Sequence, residues 1–110
     1  MSLKENKCVA CEGGIPTLKP DEYAPFLAEL GESWKVVGSK TLCKEFTFKN
    51  FVEAVDFINK VKDIAESENH HPDLNLHNYN KVLMTLSTHA IGGLSKNDFI
   101  LASKTDALFN

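Results

Sequence analysis

No apolar stretch in this chain approaches the ~18 residues that a membrane-spanning helix needs, so no membrane partner is expected. Basic residues are scattered as well, with no run longer than an isolated pair. Net charge is -3 with the histidines neutral. A phosphate backbone would find no patch to dock on, and direct nucleic-acid binding is not expected. Cysteine is scarce and odd in number: three residues do not make a disulfide framework and fit a reducing compartment with less effort. The polar N-terminus carries no apolar signal region, which leads us to expect a cytoplasmic protein. Metal-ligand spacing is missing too. There is no H-x-x-x-H, and the C-x-x-C of Cys8 and Cys11 has only Cys43 to add, short of the second pair that a zinc ribbon requires. A thioredoxin-type pair follows a strand and opens a helix, whereas Glu12-Gly13-Gly14-Ile15-Pro16 follows here. We read Cys8 and Cys11 as part of a terminal arm over residues 1–17 with no catalytic role; the alternative is a weak metal site or a labile disulfide.

What is present is enough for one modest core. In 110 residues, 43% are apolar and 25% charged, the balance of an ordinary globular chain. Residues 18–110 are read as a single domain. Leu18 to Leu30 carries a short helix ended by Gly31. Pro25 would break that helix if it began at Pro20, so the spacing predicts a start near Ala24 with Pro25 as the first helical residue, or a kink. Trp34 to Val37 and Leu42 to Phe48 read as strands around Gly38-Ser39. Lys44 interrupts the apolar face of the second, which suggests an edge or a strand end. Asn50 and Glu53 form a capping box for a helix running to about Asn69, with Phe51, Val52, Ala54, Val55, Ile58, Val61, Ile64 and Ala65 in a 3.6 period. A short strand at about Leu74 to Asn78, a turn at Tyr79-Asn80 and an alternating strand from Lys81 to Thr88 follow. After Gly92-Gly93, Ser95 to Asp98 caps a terminal helix. The order α-β-β-α-β-β-α with short connections predicts an α+β, two-layer fold: a four-stranded antiparallel sheet with helices packed on one face.

Three of the four histidines lie at junctions in one third of the chain, where a scaffold presents side chains to a ligand. His70 and His71 close a helix before Pro72, and His89 follows a strand. With an ordinary imidazole pKa of ~6.5, one such ring donates a proton near neutral pH while another accepts one. Converging histidines therefore suit an acid-base elimination without metal or cofactor. Glu66 lies four residues before His70 and shares its helix face if the last turn stays regular, where its charge favours the imidazolium. Each residue also has a plainer explanation. His70 suits a helix C-terminus, His71 a turn, Asp98 a capping box, His89 a strand end, and His77 the surface.

Several separated blocks, in order, then resemble one family. His70-His71-Pro72, Tyr79-Asn80-Lys81-Val82, Thr85-Leu86-Ser87-Thr88-His89, Gly93-Leu94-Ser95 and Asp98 resemble the pattern of pterin-4a-carbinolamine dehydratases. Upstream, Trp34 and Phe46 to Phe51 extend the likeness to roughly residues 20–108. The resemblance implies the same two-layer fold. It implies dehydration of 4a-hydroxytetrahydropterin to quinonoid dihydropterin, which recycles the tetrahydrobiopterin of aromatic amino-acid hydroxylases, with no added cofactor. It assigns the catalytic histidines to His70, His71 and His89, and puts Glu66, Asp98 and Trp34 around the substrate. It implies a homodimer or homotetramer. Some animal members also help a homeodomain transcription factor dimerise, so a non-catalytic interaction module with such a partner is the alternative reading. Three departures stand out: Asn69 where the vertebrate-like pattern is acidic, one extra residue between Pro72 and Tyr79, and Leu74 where an aromatic often sits.

Overall fold

A computed structural model describes residues 3–6, 8 and 16–109. Its elements are α1 (Pro20–Leu30), β1 (Lys35–Val37), β2 (Thr41–Thr47), α2 (Phe51–Glu68), β3 (Asp73–His77), β4 (Lys81–Leu86) and α3 (Lys96–Phe109). Two short 3-10 turns, Leu3–Glu5 and His89–Ile91, complete them. The strands form one sheet in the order β1-β2-β4-β3, antiparallel throughout. The expected α+β architecture is therefore the observed one. No described helix is long and apolar enough to cross a membrane.

Period-2 alternation sets which side of the sheet is covered. Leu42 and Phe46 of β2, and Val82, Met84 and Leu86 of β4, are buried beneath the helices, and the register sets Leu42 opposite Leu86 and Phe46 opposite Val82. From α2, Ala54, Phe57, Val61 and Ala65 complete this layer, three and four residues apart as a buried helical stripe requires. Phe46 is the hub, with Phe57 and Phe109 rings 4.7 and 5.1 Å away.

Two local expectations are corrected. Helix α1 begins at Pro20, not near Ala24, and contains Pro25. Proline is well suited to the first helical position, and the Lys19 N–H donates to the Glu22 carboxylate at 2.8 Å. Pro25 is exposed, as is Asp21, whose carbonyl loses its helical donor to the proline, so water can take that donor's place. The opposite face, Tyr23 and Phe26, holds the helix against Phe99 of α3. Lys44 lies neither on an edge nor at a strand end: β2 is an interior strand, and Lys44 pairs with Met84 in its middle. The cation reaches Asp106 of α3 at 2.7 Å and lies 4.6 Å from the Phe46 ring centroid. An inward lysine is accommodated because a carboxylate and aromatic faces replace its water. Smaller shifts affect the hairpin, where β3 and its turn begin one residue early, with Asn78 and Tyr79 left-handed at φ 48° and 57°.

Candidate active site

The site begins where α2 stops. Asn50 caps the start of this helix, its side chain accepting the Glu53 N–H at 2.9 Å. At the other end Asn69 turns left-handed, with φ 53° and ψ 40°. The His70 N–H then reaches back to the Ala65 carbonyl, a six-to-one closure that needs glycine or asparagine at the turn. Asn69 thus has a backbone reason to be there. The reversal also breaks the regular last turn on which the Glu66–His70 pairing rested. Glu66 instead meets His71 Nε2 at 2.5 Å, on the surface.

His70 is directed inward, to a different carboxylate. Its Nε2 lies 2.6 Å from Asp98 Oδ1, and the Asp98 side chain is wholly buried. The other carboxylate oxygen accepts from the Ser95 N–H and the Thr88 hydroxyl, each at 2.9 Å. Since Thr88 donates to Asp98, the Ser95 hydroxyl, 2.7 Å away, donates to Thr88. A buried carboxylate needs such partners, because an ion taken from water without hydrogen bonds is strongly disfavoured. Asp98 is therefore both the capping-box carboxylate expected of it and the partner of His70. An ionised carboxylate only accepts, so Nε2–H donates to it and Nδ1 is the other nitrogen of the ring.

His89 arrives from a different junction, the one after β4. β4 ends at Leu86, Thr88 bridges to Gly93, and His89 opens the 3-10 turn between them. Gly92, left-handed at φ 68°, closes that turn with a hydrogen bond to the His89 carbonyl. His70, His71 and His89 all line one cavity of about 500 Å³. That size suits a small heterocycle. Asp98 stands behind His70, and Glu66 beside His71. Trp34 is not brought to this cavity: it is buried in the core, its indole N–H donating to Asp106 at 2.8 Å. Glu68, Asn97 and Cys8 also line the cavity. Asn97 sits inside the capping segment already singled out by its sequence; no spacing signal points to Glu68, and the C-x-x-C that marks Cys8 does not point to this cavity. Cys11 lies outside the described residues. Burial pushes the Cys8 thiol up to about 12, and the charge of Glu68 adds to the shift. Cys8 is thus a neutral thiol at any physiological pH.

A family model for pterin 4 alpha carbinolamine dehydratase matches residues 16–108. The chain belongs to this family. A protein of Alkaliphilus metalliredigens provisionally named pterin-4-alpha-carbinolamine dehydratase is 46% identical over 105 residues, 96% of this chain and 94% of that one. A provisionally named counterpart from Rickettsia canadensis is 47% identical over 105 residues, covering 96% and 95%. Among solved structures, a transcriptional coactivator/pterin dehydratase from Brucella melitensis superposes with a TM-score of 0.78 at 32% identity, over 86% of this chain and 99% of the other. Within this pterin dehydratase family member, the matched segment holds all three cavity histidines and Asp98, whereas Cys8 precedes it.

Proposed function

We propose that the protein dehydrates 4a-hydroxytetrahydropterin to quinonoid dihydropterin and water by histidine acid-base catalysis, returning tetrahydrobiopterin to use. The observation that carries this reading is the convergence of His70, His71 and His89 on one cavity, with His70 tied to the buried Asp98. Loss of the 4a-hydroxyl needs a proton on the leaving oxygen and removal of the proton on N5. Atoms balance with no redox change: the C4a–O bond breaks, the N5–H electrons form the new double bond, and water leaves. His70 and His89 come from different junctions and supply the acid and the base, the pterin face that carries the hydroxyl deciding which is which. His71, exposed and paired with Glu66, binds and orients the ring. Asp98 holds the tautomer of His70 through Nε2. Exposed Phe51 and Val52 on α2 are apolar surface consistent with a homodimer or homotetramer.

The test is the ultraviolet decay of freshly generated 4a-hydroxytetrahydropterin with and without the protein. Acceleration is expected, and folded protein that leaves the decay unchanged would overturn the assignment. His71→Ala is expected to raise KM by about ten-fold while kcat falls less. A His71 variant with intact affinity and lost turnover would instead make this residue catalytic.

A further inference from the structure

The described chain before α1 meets the cavity at Cys8 and touches the segment that follows the His89 turn at Thr17 and Leu18. On the His70 side, the Cys8 N–H donates to Glu68 Oε1 at 2.7 Å, and the Cys8 thiol to the Asn97 carbonyl at 3.6 Å. Further back, Leu3 is 2% exposed within the core, and its N–H donates to Glu29 at 2.6 Å. On the His89 side, the Leu18 N–H donates to the Leu94 carbonyl at 2.9 Å. Thr17 lies so close to Gly93 that a Cβ there would sit 2.6 Å from its methyl carbon. A glycine next to the His89 turn is thus needed to let this segment approach.

Glu68 is the more informative residue. It is the last residue of α2, where a negative charge opposes the helix dipole and adds nothing to helix stability. Yet its side chain is only 10% exposed, with Oε2 3.7 Å from Lys104 and Oε1 on the Cys8 N–H. A carboxylate kept in so unfavourable a place, and used to fix a backbone amide 60 residues away, points to a task in the cavity it lines.

We propose that Cys8 forms a wall of the substrate site, against the bound pterin, with Glu68 as the residue that positions it. The inference rests on the pterin reading given above. Cys8 acts there as a small neutral surface for a planar ring. Its protonated thiol is already engaged by the Asn97 carbonyl, so it competes for no proton in the reaction.

Fluorescence titration with a dihydropterin, alongside steady-state kinetics, tests this on full-length protein. Cys8→Phe fills the cavity and is expected to weaken dihydropterin binding by about ten-fold or more, with little change in melting temperature. Glu68→Ala is expected to raise KM more than it lowers kcat, and Glu68→Gln, whose amide oxygen still accepts the Cys8 N–H, to recover much of the loss. If both Cys8→Phe and Glu68→Ala bind the dihydropterin as the native protein does, the wall is refuted while the dehydratase reading stands. A native protein that neither binds the dihydropterin nor accelerates the decay of 4a-hydroxytetrahydropterin removes both.

Discussion

The His70→Ala, His89→Ala double variant is expected to fold and to lose its acceleration of 4a-hydroxytetrahydropterin decay. A positioned acid or base contributes ~10²–10⁴-fold, and residues that act as one unit lose nearly everything when either is removed. Each single variant should therefore fall by about that factor, and the double by little more. Asp98→Asn should resemble His70→Ala, although it removes no imidazole. Its amide oxygen can still accept the Ser95 N–H and the Thr88 hydroxyl, but the amide nitrogen then faces His70 Nε2 where Oδ1 stood. Two donors cannot meet, so the ring is driven to the opposite tautomer with its proton on Nδ1. We expect kcat to fall by about 10²–10³. The fold should survive with a loss of ~1–2 kcal/mol, since one hydrogen bond changes direction while two remain. Stopped-flow kinetics and denaturant melts of the same samples separate the two effects. Full kcat in Asp98→Asn would sink the tautomer role.

Asp106→Ala should be strongly destabilising although it lies away from the cavity. The carboxylate accepts from Lys44 Nζ at 2.7 Å and from the Trp34 indole at 2.8 Å, and among the described residues neither donor has another side-chain acceptor. The Lys44 side chain is 13% exposed, so its charge is left largely without water. Breaking one side of such a pair costs about 2–4 kcal/mol in a setting that is not fully dry. For a domain of this size the melting temperature should then drop by about 10–20 °C. Adding Lys44→Met should return part of the loss, because methionine keeps the packing over Phe46 without the stranded charge. A double variant less stable than Asp106→Ala alone, or a single variant that melts within about 3 °C of native, would contradict this account.

The contrast between these two sites shows where sequence reading worked. Alternation in β2 and β4, and the caps at Asn50 and Ser95, are local patterns that set the elements and their order, and the fold follows. The three histidines were legible because they sit together at element ends, and the structure brings them to one cavity. Partnerships were much less so. Lys44 looked misplaced because its carboxylate lies 62 residues away on α3. Glu66 and His70 stood at helical spacing, but a left-handed Asn69 turns the chain before that spacing applies. Pro25 argued against a helix whose stability comes from Tyr23 and Phe26 on Phe99, a tertiary contact that outweighs a local breaker. No pattern links Glu68 to Cys8, since their contact depends on where Cys8 comes to rest, 60 residues away in sequence.

Asp98 ties the first turn of α3 to the ring of His70, so fraying of that turn and loss of the aligned imidazole are a single opening event. The Ser95 amide, held by the same carboxylate, reports on it from outside the chemistry. Its deuterium uptake measures the fraction of molecules in which the site is assembled, in resting protein and without any pterin present.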